Sequence, residues 1–356
     1  MLLKKLVSIL CCLSLLLISL ASCKKDDDTP RVKEPETQYT IVWDLFDTKS
    51  IIYSYKGDSE AEFKSNCKDV ETLLREYHKL FDIYYKYSGI NNLKTVNDNA
   101  GVAPVEVDEK LIDFLLYAKE IYTLTGGMTN VAMGSVLKLW HDCREDASDE
   151  DHPVYRIPSS EALAEASEHC SIDDLIIDKE AGTVYLADPD MRLDVGALGK
   201  GYATEKAAQL LISRGVSSYV LNIGGNIRII GEKVTGEGWV TGITNPDKSS
   251  DESIFTKINI KNTSLVTSGN YERFYTVDGV NYHHIIDPDT LMPANYFSSI
   301  SIIAQNSALA DALSTALFCM TYEEGLALVN SIGGIEVIWV DLEYNVKHTS
   351  GISFVN

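Results

Sequence analysis

The chain has 356 residues and carries 31 Lys and Arg against 52 Asp and Glu, a formal net charge of -21 at pH 7. A surface that binds the phosphate backbone is normally basic, so this balance excludes nucleic acid as the expected partner. Hydrophobic residues make up 45% and charged residues 23% of the chain, which excludes wholesale disorder and collagen-like repeats. No linker-like stretch forces a division, and we expect a single folded domain.

The first 22 residues have the pattern of an export signal. Two lysines precede an apolar run at 6–20, which is shorter than the ~20 residues of a membrane-spanning helix. The run ends in Leu20-Ala21-Ser22-Cys23, which resembles the lipobox of bacterial lipoproteins, in which the cysteine is acylated. We therefore expect a lipoprotein signal peptide over 1–22, lipidation of Cys23, and a membrane-anchored protein that faces the periplasm, with exposure at the cell surface as an alternative.

Residues 23–38 contain too few hydrophobic residues to pack, and we expect a flexible tether ahead of a folded domain over 39–356. Four cysteines remain in that domain: Cys67, Cys143, Cys170 and Cys319. None forms a CxxC pair or has zinc-ligand spacing, and the sequence does not choose among the three possible disulfide connectivities. Buried free thiols are the default expectation.

Capping residues predict where three helices begin, after a strand-like stretch at 39–55 that ends at the Gly57-Asp58 turn. The N-caps are Ser59, Asp108 and Ser159. The first helix has apolar residues at steps of three and four as far as Tyr84, and the second stops at Gly126-Gly127. The acidic stretch 145–151 predicts a solvated loop.

From about residue 172 the period changes to short β-rich runs. The expected strands are 174–178, 183–186, 219–223, 227–230, 239–243, 273–277, 282–286 and 299–304. One helix follows Gly199 and another covers about 307–320. Because turns such as Asp278-Gly279 join successive strands, we expect an α+β fold with a mixed or antiparallel sheet and flanking helices.

Four short segments carry more Gly, Asp, His and Thr than packing requires. At 194–201, glycines would let a ligand approach the backbone, a helix N-terminus offers N–H groups to an anion, and Lys200 adds a positive charge. This segment lacks the P-loop pattern. The second segment, Gly224-Gly225-Asn226, is a plain turn when taken alone.

The third segment is His283-His284-Ile285-Ile286-Asp287-Pro288. Adjacent residues on a strand point to opposite faces, so the two histidines cannot bind one metal and at most one faces a site. In the fourth segment, Asp311 and Thr315 are four residues apart on an apolar helix, which places their oxygens on one face and suits a hard cation. Ordinary helix capping is the alternative explanation.

Together these segments resemble the FAD:protein FMN transferase family, also called ApbE, and the likeness extends from Phe46 to the C-terminus. The matching landmarks are Gly126-Gly127 with Trp140, 194–203, 222–226, Thr267-Ser268-Gly269, 284–288 and 310–315. The resemblance implies an ApbE-like α+β fold. It also implies transfer of FMN from FAD to a threonine hydroxyl of a partner protein, with release of AMP.

The resemblance further implies roles for individual residues. The backbone carbonyl of Ala197 and the side chains of Asp311 and Thr315 would hold Mg²⁺, or Mn²⁺, with Ser314 nearby. His284 would act as the base and, with Asp311, form the catalytic pair, although Asp287 could instead orient His284. FAD would contact Phe46, Tyr84, Met128, Thr129, Asn130, Asp194, Lys200, Ile285 and Ile286.

Three positions qualify this assignment. Spacing from Phe81 favours Tyr84, whereas spacing to Asn97 favours Tyr87. Asn130 stands where the family commonly has Asp, and it keeps the hydrogen-bonding capacity but lacks the charge. Leu291 stands where the family commonly has Gly, which suggests a reshaped loop.

The resemblance implies acceptor subunits of membrane redox complexes, such as sodium-pumping NADH:quinone reductase or an Rnf-type complex. Two alternatives keep the same site: a Mg²⁺-dependent FAD pyrophosphatase that yields FMN and AMP, and an FAD-binding lipoprotein without chemistry. The Asp311 and Thr315 pair argues against the second, because a pure binding protein needs no metal at the pyrophosphate. The sequence does not decide between transferase and hydrolase.

Overall fold

The computed structural model describes residues 38–54, 59–233 and 235–355. The expected signal peptide, Cys23, the tether as far as residue 37 and the Gly57-Asp58 turn lie outside these residues. Within the described ranges, no helix has the length and apolarity needed to cross a membrane.

The described residues form eight α-helices and sixteen strands. The helices are α1 Glu60–Phe81, α2 Leu93–Asn97, α3 Glu109–Leu124, α4 Gly134–Ser148, α5 Ser160–Ser167, α6 Gly199–Ser213, α7 Ser307–Phe318 and α8 Tyr322–Ile332. The strands are β1 Gln38–Leu45, β2 Thr48–Ser54, β3 Val105–Glu106, β4 Leu175–Asp178, β5 Thr183–Leu186, β6 Ser218–Ile223, β7 Asn226–Gly231, β8 Trp239–Thr244, β9 Ile254–Ile260, β10 Ser264–Gly269, β11 Phe274–Val277, β12 Val280–His283, β13 Phe297–Ala304, β14 Glu336–Asp341, β15 Val346–His348 and β16 Phe354–Val355.

The main sheet has eight strands in the order β1-β2-β6-β7-β10-β13-β14-β15, and its neighbours pair antiparallel. Two three-stranded sheets, β3-β5-β4 and β16-β9-β8, and the hairpin β11-β12 complete the described strands. Strands and helices are therefore segregated in the manner of an α+β fold, as the tight turns predicted.

Helices α6 and α7 pack against each other and against this sheet, α6 on β6 and β7 and α7 on β10 and β13. Their inward residues are small or aliphatic, with Ala203 and Ala207 on α6 and Leu313 and Leu317 on α7, all fully buried. A fully buried leucine contributes about 1.5–3 kcal/mol. Gly201, at the start of α6, lets the two helices approach closely, because a Cβ there would meet Asp311 and the Ser307 carbonyl of α7.

Three boundaries differ from expectation. In place of one strand over 39–55, β1 and β2 form a hairpin over 38–54, because Phe46 and Asp47 adopt positive φ angles of 54° and 52° and form a two-residue turn. Helix α1 ends at Phe81, because the Asp82 carboxylate accepts the Tyr84 N–H at 2.7 Å and redirects the chain. Strand β12 ends at His283, so His284 lies just beyond it.

The predicted loop at 145–151 is wrong at its start, because α4 continues through Ser148. The N-cap of α4 is Met133, which forms no side-chain capping bond, so no capping residue marked this helix in the sequence. The caps at Ser59, Asp108 and Ser159 are confirmed.

Candidate active site

The segment 194–201 forms the bend that leads into α6. The Asp194 N–H donates to the Val131 carbonyl at 2.9 Å, and Asp194 Oδ1 accepts the Gly196 N–H at 2.8 Å. The N-cap residue of α6, Leu198, provides no side-chain acceptor. The Gly199 N–H donates to the Val195 carbonyl at 2.8 Å and the Gly201 N–H to Asp311, so the helix dipole, rather than a row of free N–H groups, would stabilise an anion here. Lys200 Nζ lies 3.3 Å from the Gly196 carbonyl oxygen, at the same bend.

Helix α7 brings two side-chain oxygens to this bend. Asp311 Oδ2 accepts the Gly201 N–H at 2.7 Å, and Thr315 Oγ1 donates to the Ala197 carbonyl at 3.4 Å. A Cβ at Gly201 would lie 2.3 Å from Asp311 Cβ, so only glycine permits this approach. The structure thus brings together the three oxygen donors named from the sequence, Ala197, Asp311 and Thr315.

The Asp311 carboxylate is only 6% exposed. Burial raises the pKa of this group, against the opposing effects of the Lys200 charge and the Gly201 N–H. A buried carboxylate beside a hydroxyl and a carbonyl oxygen, without an ion-pair partner among the described residues, fits a hard divalent cation. The all-oxygen donor set suits Mg²⁺ and Mn²⁺ alike.

Ser314 and the Thr267-Ser268-Gly269 motif meet behind these donors. Ser314 Oγ lies 2.7 Å from Ser268 Oγ and donates to the Asp311 carbonyl at 2.8 Å. Thr267 Oγ1 lies 2.8 Å from Ser301 Oγ on the neighbouring strand β13. These hydroxyls connect α7 to the sheet and fix the helix that carries the donors.

In the segment 128–130, the polar side chains bind the protein itself. Thr129 Oγ1 donates to the Ala312 carbonyl at 2.8 Å, which attaches the segment to α7. Asn130 donates its amide N–H to the Cys170 carbonyl at 3.0 Å and accepts the Ala132 N–H at 2.8 Å. An ionised Asp at this position could not donate to the Cys170 carbonyl, so this hydrogen bond explains why Asn suits position 130.

The two adjacent histidines have different surroundings. His283 is buried, its Nε2 is 2.8 Å from the Ala294 carbonyl oxygen, and its Nδ1 accepts the Ile285 N–H at 3.2 Å. His284 is only partly buried, and its Nδ1 lies 3.3 Å from the Arg273 carbonyl oxygen. Both nitrogens of His283 are therefore occupied, which leaves His284 as the histidine available to a ligand.

Burial lowers the pKa of His284 to about 3, and the positive charges of Arg273, Lys200 and Arg144 act in the same direction. His284 is therefore neutral at physiological pH, and an anion bound beside it would raise its affinity for a proton. The Lys200 charge acts on His284, so the third segment lies near the 194–201 bend.

The neighbours of His284 do not serve as its orienting groups. Asp287 is buried and its Oδ1 accepts the Asp289 N–H at 2.8 Å, so it caps its own turn, and no hydrogen bond joins it to His284 in the described chain. The side chains of Ile285 and Ile286 are buried in two different apolar clusters. Any ligand contact from these two residues would come from the backbone.

Leu291 adopts a left-handed backbone, with φ of 60°, in the loop that follows. Its N–H donates to the Asp287 carbonyl at 2.8 Å, and its own carbonyl accepts the Trp140 indole N–H at 2.9 Å. A non-glycine residue in this conformation costs about 1–2 kcal/mol. The loop keeps a backbone that favours glycine even though a leucine occupies it.

Aromatic residues lie on the Asp194 side of the site. Tyr84 is 51% exposed, its ring centroid is 5.3 Å from that of His141, and partial burial followed by the charge of Asp194 raises its pKa to about 12. Tyr87 instead donates its hydroxyl to Asp82 at 2.7 Å. The geometry therefore favours Tyr84 over Tyr87. Phe46 lies in the β1-β2 turn and its ring meets His78 edge-on at 5.6 Å.

Sequence reasoning missed two basic residues, Arg144 and Arg273, whose charges act on His284. Arg144 lies on α4, which no capping signal marked, and Arg273 precedes β11. No disulfide joins the four cysteines of the described chain, of which three are buried and Cys170 is only partly buried.

The ApbE family profile matches residues 37–339. The chain belongs to the ApbE family. The family's proteins include an FAD:protein FMN transferase of Treponema pallidum, 33% identical over 314 residues that cover 84% of this chain and 83% of that protein. Another of that name, from Haemophilus influenzae, is 27% identical over 353 residues, 98% of this chain and 97% of that protein.

Solved structures of the family share the fold. The crystal structure of the ApbE protein of Thermotoga maritima superposes with a TM-score of 0.75 at 28% identity and covers 88% of this chain and 97% of that one. The flavin transferase ApbE of Vibrio cholerae has a TM-score of 0.72 at 25% identity, covering 89% and 98%.

Proposed function

We propose that this protein is an FAD:protein FMN transferase, which moves FMN from FAD to a threonine hydroxyl of a partner protein and releases AMP. One observation carries the proposal: the oxygen donors on α7 and the 194–201 bend, the Lys200 ammonium and the neutral His284 face one region. The family relationship supports it, because the relatives named above are FAD:protein FMN transferases.

The carbonyl of Ala197 and the side chains of Asp311 and Thr315 would hold Mg²⁺, or Mn²⁺. When bound, the metal would neutralise charge on the pyrophosphate oxygens of FAD. Lys200 and the positive end of the α6 dipole would stabilise the same phosphates from the protein side. These contacts overcome the repulsion expected from a chain with net charge -21.

His284 would take the proton of the attacking hydroxyl. A carbonyl oxygen can only accept, so the proximity of Nδ1 to the Arg273 carbonyl places the ring hydrogen on Nδ1 and leaves Nε2 free. The threonine oxygen forms the new P–O bond with the FMN phosphorus, its proton passes to Nε2, and the bond to AMP breaks with AMP leaving as the anion. Tyr84 and Phe46 would form walls of the flavin pocket.

The proposal also includes the cellular setting. The lipobox-like segment ending at Cys23 supports an exported lipoprotein that is anchored in a membrane and faces the periplasm. Subunits of membrane redox complexes, such as sodium-pumping NADH:quinone reductase or Rnf-type complexes, would be the acceptors, because an anchored enzyme and a membrane-bound acceptor share one surface.

Mass spectrometry of an acceptor fragment tests the proposal. The full chain, purified in detergent, is incubated with FAD, Mg²⁺ and the fragment, and we expect a mass gain equal to FMN less water that is lost in Asp311→Asn. Steady AMP release without the fragment would identify a hydrolase instead. Bound but intact FAD with every acceptor tried would contradict both activities.

A further inference from the structure

Three hydrogen bonds connect the start of α6 to α7, and they form a regular ladder. The rungs join the Ala197 carbonyl to Thr315 Oγ1 at 3.4 Å, the Gly201 N–H to Asp311 Oδ2 at 2.7 Å, and Glu205 Oε2 to the Ser307 N–H at 2.9 Å. Successive rungs are four residues apart on both helices, which run antiparallel, so each rung lies about one turn from the next. The first two rungs contain the proposed metal donors, and the third contains none.

The carboxylate of the third rung, Glu205, also forms a buried ion pair. Glu205 is 7% exposed and Arg228, on β7, is 6% exposed, with Arg228 Nε 3.2 Å from Glu205 Oε2. Glu205 Oε1 also accepts the Gln209 amide at 3.3 Å, and the Arg228 guanidinium donates to the Ile229 carbonyl. Both charges are therefore compensated, and the carboxylate lies at the N-terminus of α7, where the helix dipole favours an anion.

Glu205 does more than cap α7, because Asn306 already caps it. Asn306 Oδ1 accepts the N–H groups of Ala308 at 2.8 Å and Leu309 at 3.2 Å. The Ser307 N–H is thus the group of this first turn that binds a side chain from another helix. Its partner Glu205 sets how far α7 lies along α6.

We infer that Glu205 is a positioning residue: its bond to the Ser307 N–H holds α7 in register with α6 and so sets the distance of Asp311 and Thr315 from Ala197. The inference rests on the proposed metal site, and Glu205 itself contacts neither metal nor FAD. Groups that orient metal ligands typically change metal affinity 10–100-fold when removed.

Removing Glu205 alone would leave Arg228 buried without a counter-ion and could unfold the protein. The test therefore compares two double variants that lack both charges. Glu205→Gln/Arg228→Met keeps an acceptor for the Ser307 N–H, whereas Glu205→Met/Arg228→Met has nearly the same volume and no acceptor. Binding of Mn²⁺ to the full chain, without FAD or acceptor, is measured from the electron paramagnetic resonance signal of the free ion.

We expect the Gln variant to bind Mn²⁺ within about twofold of wild type and the Met variant about tenfold more weakly or worse, while both unfold cooperatively. Equal affinities in the two variants, whether both high or both low, would overturn the inference, because the acceptor would then not matter.

A second variant removes the donor instead. Ser307 is the first residue of α7, where proline is tolerated, and Asn306 before it has the extended backbone that proline requires (φ -106°, ψ 122°). Ser307→Pro keeps both Glu205 and Arg228 in the sequence, but its ring Cδ replaces the N–H hydrogen that lies against Glu205 Oε2 and pushes the carboxylate away, so Mn²⁺ binding should weaken at least about tenfold. Wild-type affinity in Ser307→Pro would overturn the inference.

Asp311→Asn serves as the reference variant. If it loses Mn²⁺ binding while Glu205→Met/Arg228→Met does not, the proposed metal site stands and only the role of Glu205 fails. If Asp311→Asn binds Mn²⁺ as wild type does, the metal site itself fails, and the role of Glu205 fails with it.

Discussion

The two sides of the site are built in different ways. On one side, α6 and α7 place oxygen donors at helical spacing, in a buried ladder of hydrogen bonds. On the other, His284 lies past the end of a short hairpin, among basic groups from separate parts of the chain. Burial disfavours the charged form on both sides, since it raises the pKa of Asp311 and lowers that of His284. A bound divalent cation would counteract the pKa shift of Asp311, and an anionic pyrophosphate would counteract that of His284. The oxygen side therefore suits a cation, and the basic side suits an anion.

Replacement of Asp311 should have the largest effect. Asp311→Asn keeps an acceptor for the Gly201 N–H but removes the charge, and we expect flavinylation to fall at least about 100-fold, as when one preorganised electrostatic group is lost. The same change removes the cost of burying a carboxylate, so the thermal midpoint of the metal-free protein should rise. Calorimetry in EDTA and the flavinylation assay check the two effects.

Asp188→Asn is the matched control, because Asp188 pairs with His169 at 2.7 Å, outside the site. It should leave flavinylation unchanged. A lower thermal midpoint in Asp311→Asn would mean that its carboxylate stabilises the fold, against the ligand-binding role of the oxygen side.

Variants of the two adjacent histidines distinguish a loss of catalysis from a loss of stability on the basic side, which carries His284. His284→Gln should reduce flavinylation about 10²–10⁴-fold, the usual range for a lost general base, with little change in unfolding free energy. His283→Gln should instead lower the unfolding free energy by about 1–3 kcal/mol, because buried partners at Ala294 and Ile285 lose their bonds. Initial rates and urea unfolding measure both variants. The reverse pattern would assign the site to His283.

The close approach on the oxygen side depends on Gly201. In Gly201→Ala the new Cβ would lie 2.5 Å from the Ser307 carbonyl oxygen as well as against Asp311, so α6 and α7 must separate. We expect a loss of about 1–3 kcal/mol of stability and weaker Mn²⁺ binding. In the control Gly325→Ala, the Cβ would lie 3.3 Å from the end of Leu317 and 3.7 Å from the Trp339 ring, and Mn²⁺ binding should not change. Unchanged Mn²⁺ binding in Gly201→Ala would show that the spacing of the helices does not set the site.

The same contrast explains what the sequence could predict. Asp311 and Thr315 are recognisable because both oxygens come from one helix at a fixed spacing, whereas Glu205 looks like any acid on a helix until Arg228 and Ser307 are placed beside it. Arg144 could not be placed near the site from the sequence, because it lies on α4, and no capping residue marks where that helix begins. Tyr84 and Tyr87 could not be separated by spacing, because α1 has already ended and helical periodicity no longer applies.

The last expected effect is a pH dependence of stability on the basic side. The pKa values of both histidines are lowered in the folded protein, that of His284 to about 3, so below pH 6.5 the unfolded chain binds more protons than the folded one. The unfolding free energy should therefore fall as pH decreases from 6.5 toward 3. The pKa of Asp311 is raised in the folded protein, so its contribution has the opposite slope. This contribution to stability declines as pH rises above the pKa that the Asp311 carboxyl has in the unfolded chain.

Urea midpoints of wild type and His284→Gln, measured in EDTA between pH 7 and pH 4.5, isolate the histidine contribution. Other carboxylates that titrate in this range do so equally in both proteins, so they cancel in the difference. The variant should lose less stability on acidification than wild type does. Parallel curves would mean that His284 is as easily protonated in the folded protein as in the unfolded chain. In that case the basic side would not keep its histidine neutral before FAD binds, and the contrast with the oxygen side would disappear.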